Sequence, residues 1–413
     1  SFQFGVSTMT TIRLFFHIFV GLLAVFSGYI VVSTPSRAKL PVVPESSPTK
    51  AIPSWLFVKP RLLLNKLFRS GVRATTSPKD HVMELATSYF QSEVVYMLAQ
   101  HKIFDSVGEK PRTCQQVAES LALKAHVVCE FMKAGYQLGL FSVAQDGYYS
   151  PTMSGKLLQT GSSLRDESLF INEETRHAWR AAGTKSAKTG KSGWEEAFGE
   201  DHLAWYEKHR DKSDLFERAR MSIAESEAGT ILSDWTPPRQ DGVFCDIGGG
   251  AGETLAHVLD HYPKMTGIVM DKTYKTLDAM QLFQAKALTA KAKFLGGFFF
   301  APTLPKVLSE CDVFFLKHVL DDFDDETSSM ILEKIKAVAK SGAKLAIAEN
   351  VQGIGFLELS KALSSVNLIA SRDYGARERS TDEYKRLLTN ADYKNKPVIT
   401  SLRDKLSIIE VDV

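Results

Sequence analysis

The chain has 413 residues, 44% of them apolar, which is enough for two domains or for one large domain with additions. Its 50 Lys and Arg residues nearly balance 48 Asp and Glu residues, but the first 80 residues carry a net charge of +8 and the remainder carries −6. This distribution argues against a basic nucleic-acid-binding patch on the body of the protein.

The N-terminal region contains an apolar segment, Leu14 to Val32, that has no charged side chain and is long enough to cross a bilayer. Its length favours a membrane anchor within residues 1–36, and the basic residues that follow it predict, by the positive-inside rule, that the C-terminal body faces the cytoplasm. A cleaved signal or an organellar or endomembrane presequence is the alternative. Residues 37–80, rich in Pro, Ser and basic side chains, are predicted to be a linker.

Residues 81–165 show helical spacing of apolar residues, followed by an alternating segment around the Asp146-Gly147 turn. Helices and a hairpin in this order predict a winged-helix-like domain. Its second helix has no Lys/Arg cluster, which favours homodimerisation over DNA binding. Residues 166–240 are helical and aromatic-rich, and are predicted to connect this domain to the next one.

From residue 241 to residue 413 strands and helices alternate, which predicts an α/β fold with a doubly wound, Rossmann-like parallel sheet. A charged helix is predicted from Asp324 to Lys340, with Gly342 as its C-cap. The last segment, Val398 to Val413, is expected to form two antiparallel strands. The five parallel strands are predicted at 243–247, 266–270, 292–295, 312–316 and 343–348.

The first predicted strand of this sheet leads into a glycine-rich turn that contains Gly248 and Gly250. Asp271 follows the second strand, where a carboxylate can bind a ribose diol. Glu253 occupies the position of the third glycine of a dinucleotide motif and would repel a pyrophosphate, as would Asp246 before the turn. The residues therefore favour S-adenosylmethionine, with its cationic amino acid end, over a nicotinamide dinucleotide.

The four cysteines, Cys114, Cys129, Cys245 and Cys311, show no spacing typical of a metal site. Cys245 and Cys311 fall in predicted buried strands, where a thiol usually packs as a small apolar group. We therefore expect free thiols and a reducing compartment.

Several motifs in the same order and spacing resemble the plant-type and acetylserotonin-type small-molecule O-methyltransferases. The motifs are D-I-G-G-G-A-G, L-K-H-V-L-D-D-F-D-D-E, L-A-I-A-E-N and R-E-R-S-T-D-E-Y, within a similarity that runs from about residue 81 to residue 413. The resemblance implies methyl transfer to a hydroxyl group, with a histidine as general base and two supporting glutamates. The glutamates match Glu349 and Glu378, and Lys317 matches a lysine near the cofactor.

Two residues depart from the family pattern. Asp321 stands where the family has its histidine, and Phe298, followed by Phe299, stands where an acid contacts the adenine. Three interpretations remain open: Asp321 is the base, His318 substitutes for it, or the protein binds the cofactor without catalysing transfer.

The resemblance also places an acceptor pocket in the helical region. Its predicted substrate-binding residues are Trp179, Phe198 and Asn367, with Trp205, Phe216 and Met221 as further candidates. The sequence thus predicts a homodimeric S-adenosylmethionine-dependent O-methyltransferase that acts on a small hydroxylated aromatic molecule.

Overall fold

The computed structural model describes residues 71, 75–355, 357–372 and 375–413. Its first half is helical, and side chains at the helix starts explain several of the boundaries. Ser77 caps α1 by accepting from the amide of Asp80, and Thr113 and Gln116 form a capping box at α4. The elements are α1 Pro78–Thr87, α2 Tyr89–Gln100, α3 Ile103–Val107, α4 Cys114–Ser120, α5 Ala125–Gln137, β1 Phe141–Val143, β2 Tyr149–Pro151 and α6 Met153–Lys156.

The helices that follow form the connecting region. The longest of them, α12, has a polar exposed face, and a short π-helical turn, Ala182–Ser186, extends α8. The helices are α7 Ser163–Asn172, α8 Glu174–Ala181, α9 Ala187–Thr189, α10 Gly193–Phe198, α11 His202–Lys208 and α12 Arg210–Asp234.

The second half is a seven-stranded sheet in the order β5-β4-β3-β6-β7-β9-β8. Strands β3 to β7 pair in parallel, and β9 joins β7 and β8 in antiparallel fashion. The elements are β3 Val243–Ile247, α13 Glu253–His261, β4 Thr266–Asp271, α14 Thr276–Ala285, β5 Ala292–Gly296, β6 Val313–Lys317, α15 Asp325–Val338, β7 Lys344–Glu349, α16 Glu358–Ser371, α17 Thr381–Asn390, β8 Val398–Ser401 and β9 Ser407–Asp412.

The predicted fold class and all five parallel strands are confirmed, each strand to within a residue at either end. Residues on β3, β6 and β7 are almost completely buried, because helices cover both faces of the sheet. The parallel strands all end at one edge. Their last residues bring Asp271, Lys317 and Glu349 to the same side of the sheet.

The cysteines are paired, so the prediction of free thiols is wrong. Cys245 on β3 and Cys311, just before β6, form one disulfide with their Cα atoms 5.8 Å apart. Cys114 and Cys129 form the other, 15 residues apart in sequence. Cys245 and Cys311 are 66 residues apart in sequence and meet because β3 and β6 are neighbours in the sheet. The spacing of the cysteines along the chain does not reveal this pairing. The cysteines therefore no longer support a reducing compartment.

The prediction of a membrane-anchored or presequence-targeted protein is also corrected. Within the described ranges, no helix has both the length and the apolar character needed to span a bilayer. Even the longest of these helices, α12, carries charged residues along its length. The segment Leu14 to Val32, on which the prediction depended, lies outside the described residues.

Candidate active site

The glycine-rich turn between β3 and α13 needs its glycines for backbone shape and for space. Gly248, Gly250 and Gly252 all have positive φ, at 79°, 63° and 98°. A Cβ atom on Gly248 would lie 2.7 Å from the side chain of Val319. The backbone can therefore approach a ligand more closely than any other residue would allow.

Two carboxylates flank this turn. Asp271, at the end of β4, accepts from the amide of Gly250 at 2.7 Å and so fixes the turn. Asp246 is buried on β3, and its Oδ2 has no hydrogen-bond partner among the described residues. Burial, together with the negative charges of Glu253 and Asp271, raises the pKa of Asp246 to about 7, although Lys317 opposes the shift.

Of the two predicted adenine-side aromatics, Phe299 lies beside the turn. Phe299 packs against the glycine-rich turn, and a Cβ atom added to Gly248 would lie 3.0 Å from its ring. Phe298 is 42% exposed and lies under the ammonium group of Lys272, 5.7 Å from the ring centroid.

A cavity of about 1200 Å³ extends from the turn towards the helical region. Gly248, Gly250 and Asp246 line its cofactor end, and His318 and Asp321 line it further along. Trp179 and Asn367 also line it, and the indole Nε1 of Trp179 donates to Asn367 Oδ1 at 2.6 Å. This bond joins α8 to α16 across the cavity.

Two of the predicted acceptor-pocket aromatics lie elsewhere. Phe198 and Trp205 pack with Trp194 in a separate aromatic cluster and are not among the residues that line the cavity. At Phe198 and Trp205 the helical spacing of aromatic residues reflects core packing. Two further candidates, Phe216 and Met221, do line the cavity.

The segment after β6 concentrates charge. His318 has a φ of 52°, and both of its ring nitrogens face carboxylates: Nδ1 lies 3.1 Å from Asp321 and Nε2 lies 3.1 Å from Glu227. Burial opposes a charge on His318, but the two carboxylates outweigh it and hold the pKa of His318 well above its usual value. His318 is therefore an imidazolium that donates from both nitrogens.

Asp321 is buried on a short 3-10 turn, Leu320–Asp322. Although burial opposes its charge, the hydrogen bond and charge of His318 hold the pKa of Asp321 below its usual range. Its Oδ1 has no hydrogen-bond partner within the described part of the chain. Asp321 thus contributes a charged carboxylate to the lining of the cavity.

Glu349, the last residue of β7, supports the turn from below. Its Oε1 accepts from the amides of Val319 and Leu320, both at 3.1 Å. Burial and the neighbouring charge of Asp321 raise the pKa of Glu349 to about 8. Glu378 lies nearby, and its pKa is raised by burial and by Asp321.

One atom from each of His318, Asp321 and Glu349 lies within 4.8 Å of the others, a spacing that could hold a metal ion. In the structure the ring nitrogens of His318 are instead engaged by two carboxylates.

Sequence reasoning missed Glu227, which is buried on α12 and pairs with Lys317 at 3.0 Å as well as with His318. Glu227 lies four residues after Ile223 and four before Ile231, so helical spacing places its carboxylate on the same inward face as these apolar residues. A carboxylate on an apolar helix face is the signal that could have identified it. Sequence reasoning also missed His202 and Arg372. The guanidinium of Arg372 donates to His202 Nδ1 at 2.8 Å and to Asp322 at 2.7 Å.

The O-methyltransferase domain model matches residues 180–394, slightly more than half of the chain. The chain belongs to the O-methyltransferase family. These findings confirm the predicted enzyme class, an O-methyltransferase that uses S-adenosylmethionine.

Curated relatives of this O-methyltransferase cover most of its length. A phenazine O-methyltransferase of Lysobacter antibioticus is 25% identical over 80% of this chain and 94% of its own. The acetylserotonin O-methyltransferase of Rattus norvegicus is 26% identical over 76% of this chain and 72% of its own. The structure of human N-acetylserotonin methyltransferase with its methyl donor is similar in fold, with a TM-score of 0.71, 21% identity and coverage of 82% and 98%.

The turn of this O-methyltransferase fits S-adenosylmethionine. The glycines leave room for the ligand, and the bare Oδ2 of Asp246 is a suitable acceptor for the ligand's ammonium group. Glu253, at the start of α13, places a carboxylate where a pyrophosphate would otherwise bind.

We expect the affinity for S-adenosylmethionine to fall as the pH falls through 7. Binding a cation favours charged Asp246, whose pKa is about 7, so only about a tenth of the free protein is competent at pH 6. Calorimetry should give a dissociation constant roughly tenfold higher at pH 6 than at pH 8.

The variant Asp246→Asn should bind more weakly and lose most of this pH dependence, whereas Asp260→Asn, on the exposed face of α13, should retain it. An unchanged pH slope in Asp246→Asn would assign the titration to another group.

Proposed function

We propose that this protein transfers the methyl group of S-adenosylmethionine to a hydroxyl of a small aromatic molecule, with Asp321 as the proton acceptor. The observation that carries this proposal is the bare, ionised Oδ1 of Asp321 at the cavity wall. In the resemblance to the family, residue 321 holds the position of the histidine base.

S-adenosylmethionine supplies an electrophilic methyl carbon when bound at the glycine-rich turn. The protein must then orient the acceptor hydroxyl and remove its proton as the oxygen–carbon bond forms. The pKa of Asp321 lies below its usual range, so its contribution depends on its position and not on its basicity. Glu349 holds the segment that carries Asp321 by accepting from the amides of Val319 and Leu320.

His318 is a positioning residue in this scheme. Both of its nitrogens already donate to carboxylates, so it cannot take a proton at neutral pH. Its positive charge offsets the negative charge of Asp321 and Glu227, and its Nδ1 orients the carboxylate so that Oδ1 is left for the acceptor.

We propose that Trp179 and Asn367 form part of the acceptor wall, since they line the same cavity and bond to each other. A relative from Streptomyces cremeus is a 3-amino-4-hydroxybenzoate 4-O-methyltransferase. This relative supports a small aromatic acceptor for the present protein.

We also propose that the chain forms a homodimer through its N-terminal helices, within the predicted domain at 81–165. α1 and the start of α2 expose several large apolar side chains, which is unusual for a monomer and is supported by the family resemblance. Light scattering, which measures the mass in solution, should therefore give the mass of two chains. The exposed residues are Val82, Met83, Leu85, Tyr89 and Phe90.

The direct test is transfer of a radiolabelled methyl group to a panel of hydroxylated aromatics across a pH range. With Asp321 as the base, the rate at saturating S-adenosylmethionine should be level from about pH 5.5 to 7, because the pKa of Asp321 lies below this window and that of His318 above it. A rate that instead rises with pH through this window and beyond it would identify His318 as the base, because the carboxylates hold its pKa well above its usual value.

The rival function, a binding protein without catalysis, makes a different prediction for the same samples. It requires calorimetric binding of S-adenosylmethionine together with no methyl transfer to any acceptor in the panel. The bare Asp321 oxygen at the cavity wall favours the enzyme.

A further inference from the structure

A second buried acceptor atom lies near Asp321. Asn350, which directly follows β7, donates from Nδ2 to Glu378 at 2.8 Å and to Ser364 at 3.3 Å. In this orientation the amide donates to the carboxylate of Glu378, whereas the opposite orientation would bring its carbonyl oxygen against that carboxylate. Its Oδ1 has no hydrogen-bond partner in the described ranges, although the residue is 1% exposed.

Asn350 and Asp321 line the same cavity and belong to one cluster of charges. Asn350 bonds to Glu378, whose pKa is raised in part by the charge of Asp321. Asn350 also follows Glu349, whose Oε2 lies 3.7 Å from His318, the partner of Asp321. The cavity is therefore lined by two residues whose buried acceptor atoms, Oδ1 in each, have no hydrogen-bond partner within the described part of the chain.

Buried acceptors are nearly always paired in folded proteins, so two bare ones in a ligand cavity point to a ligand that brings the donors. One donor is the hydroxyl that gives its proton to Asp321. We propose that the acceptor molecule carries a second donor, a hydroxyl or amino group next to the hydroxyl that is methylated, and that Asn350 Oδ1 binds it. This inference rests on the proposed function and names its substrate class as vicinal dihydroxy or amino-hydroxy aromatics.

Asn350 is the specificity-determining residue in this proposal. A monohydroxylated acceptor leaves the amide oxygen bare, whereas a vicinal donor satisfies it. Sites built to bond a substrate donor discriminate strongly against analogues that lack it, because the buried partner is then left unpaired.

The test compares 2,3-dihydroxynaphthalene, 3-amino-2-naphthol and 2-naphthol as acceptors for the full chain in the presence of EDTA. In the unmodified protein, kcat/KM for the first two should exceed that for 2-naphthol by about tenfold or more. In Asn350→Leu the ratio of kcat/KM values should fall to near one, mainly because kcat/KM for the two vicinal substrates decreases. Asn390→Leu, at the exposed end of α17, is the matched control and should keep the preference.

Equilibrium binding separates this inference from the proposed function. Calorimetry with the three compounds, on protein saturated with S-adenosylhomocysteine, needs no turnover. Tighter binding of the vicinal compounds that is lost in Asn350→Leu supports the inference even if no methyl group is transferred, and in that case only the proposed function fails.

Three outcomes overturn the inference. They are equal binding and turnover of the three compounds, absence of detectable binding by the dihydroxy compound, and a preference that survives in Asn350→Leu. A preference that appears only when EDTA is omitted would also overturn it, because a cation held by His318, Asp321 and Glu349 would then recognise the vicinal pair.

Discussion

Replacing Asp321 with asparagine is expected to lower kcat for methyl transfer by about 10²- to 10⁴-fold, the usual contribution of a general base. The amide has nearly the same shape as the carboxylate but cannot accept the acceptor's proton. Asp321 lies at the cavity wall on a different segment from the glycine-rich turn, so the dissociation constant of S-adenosylmethionine should change by no more than a few-fold. Single-turnover transfer and calorimetry measure the two quantities separately.

The matched control for this variant is Asp382→Asn, an exposed residue in the first turn of α17. Its rate should equal that of the unmodified protein. A rate within threefold of the unmodified protein in Asp321→Asn would remove Asp321 from the chemistry. His318→Gln then becomes the informative variant, since His318 also lines the cavity and its Nδ1 bonds to Asp321.

The strands and the cofactor turn could be predicted because their signals are local. Val243 to Ile247 is a continuous apolar run broken only by Asp246, and the glycines that follow have no other common use at that position. Parallel strands then bring Asp271, Lys317 and Glu349 to one edge as a consequence of topology alone.

The electrostatic partners could not be predicted because they meet through packing. Glu227 reaches His318 from 91 residues away, and no local pattern shows that α12 lies across the end of β6. For the same reason the sequence left His318 and Asp321 as competing bases. Their side chains are in contact, and the second carboxylate on Nε2 decides the protonation state of the imidazole.

Replacing Arg379 with methionine is expected to lower the free energy of unfolding by about 3–5 kcal/mol. The guanidinium is fully buried and donates to the carbonyls of Leu320 and Phe323, at 2.5 and 2.7 Å, as well as to Ser328 and Asp325. Methionine fills a similar volume but removes the donor to the Phe323 carbonyl and leaves the Leu320 carbonyl with only the hydroxyl of Ser328 and the amide of Phe323. The shift of the urea midpoint, multiplied by the slope of the transition, measures the loss.

Arg386→Met, on the exposed side of α17, removes the same charge without removing these bonds and should change stability by less than about 0.5 kcal/mol. The two carbonyls that Arg379 binds flank Asp321, so the stability and the chemistry of this segment are linked. Below the unfolding transition, Arg379→Met should lower kcat more than it weakens binding of S-adenosylmethionine, because the Asp321 turn loses its anchor while the glycine-rich turn keeps its own contacts. Equal stability of the two methionine variants would show that the Asp321 turn is held mainly by Glu349 instead.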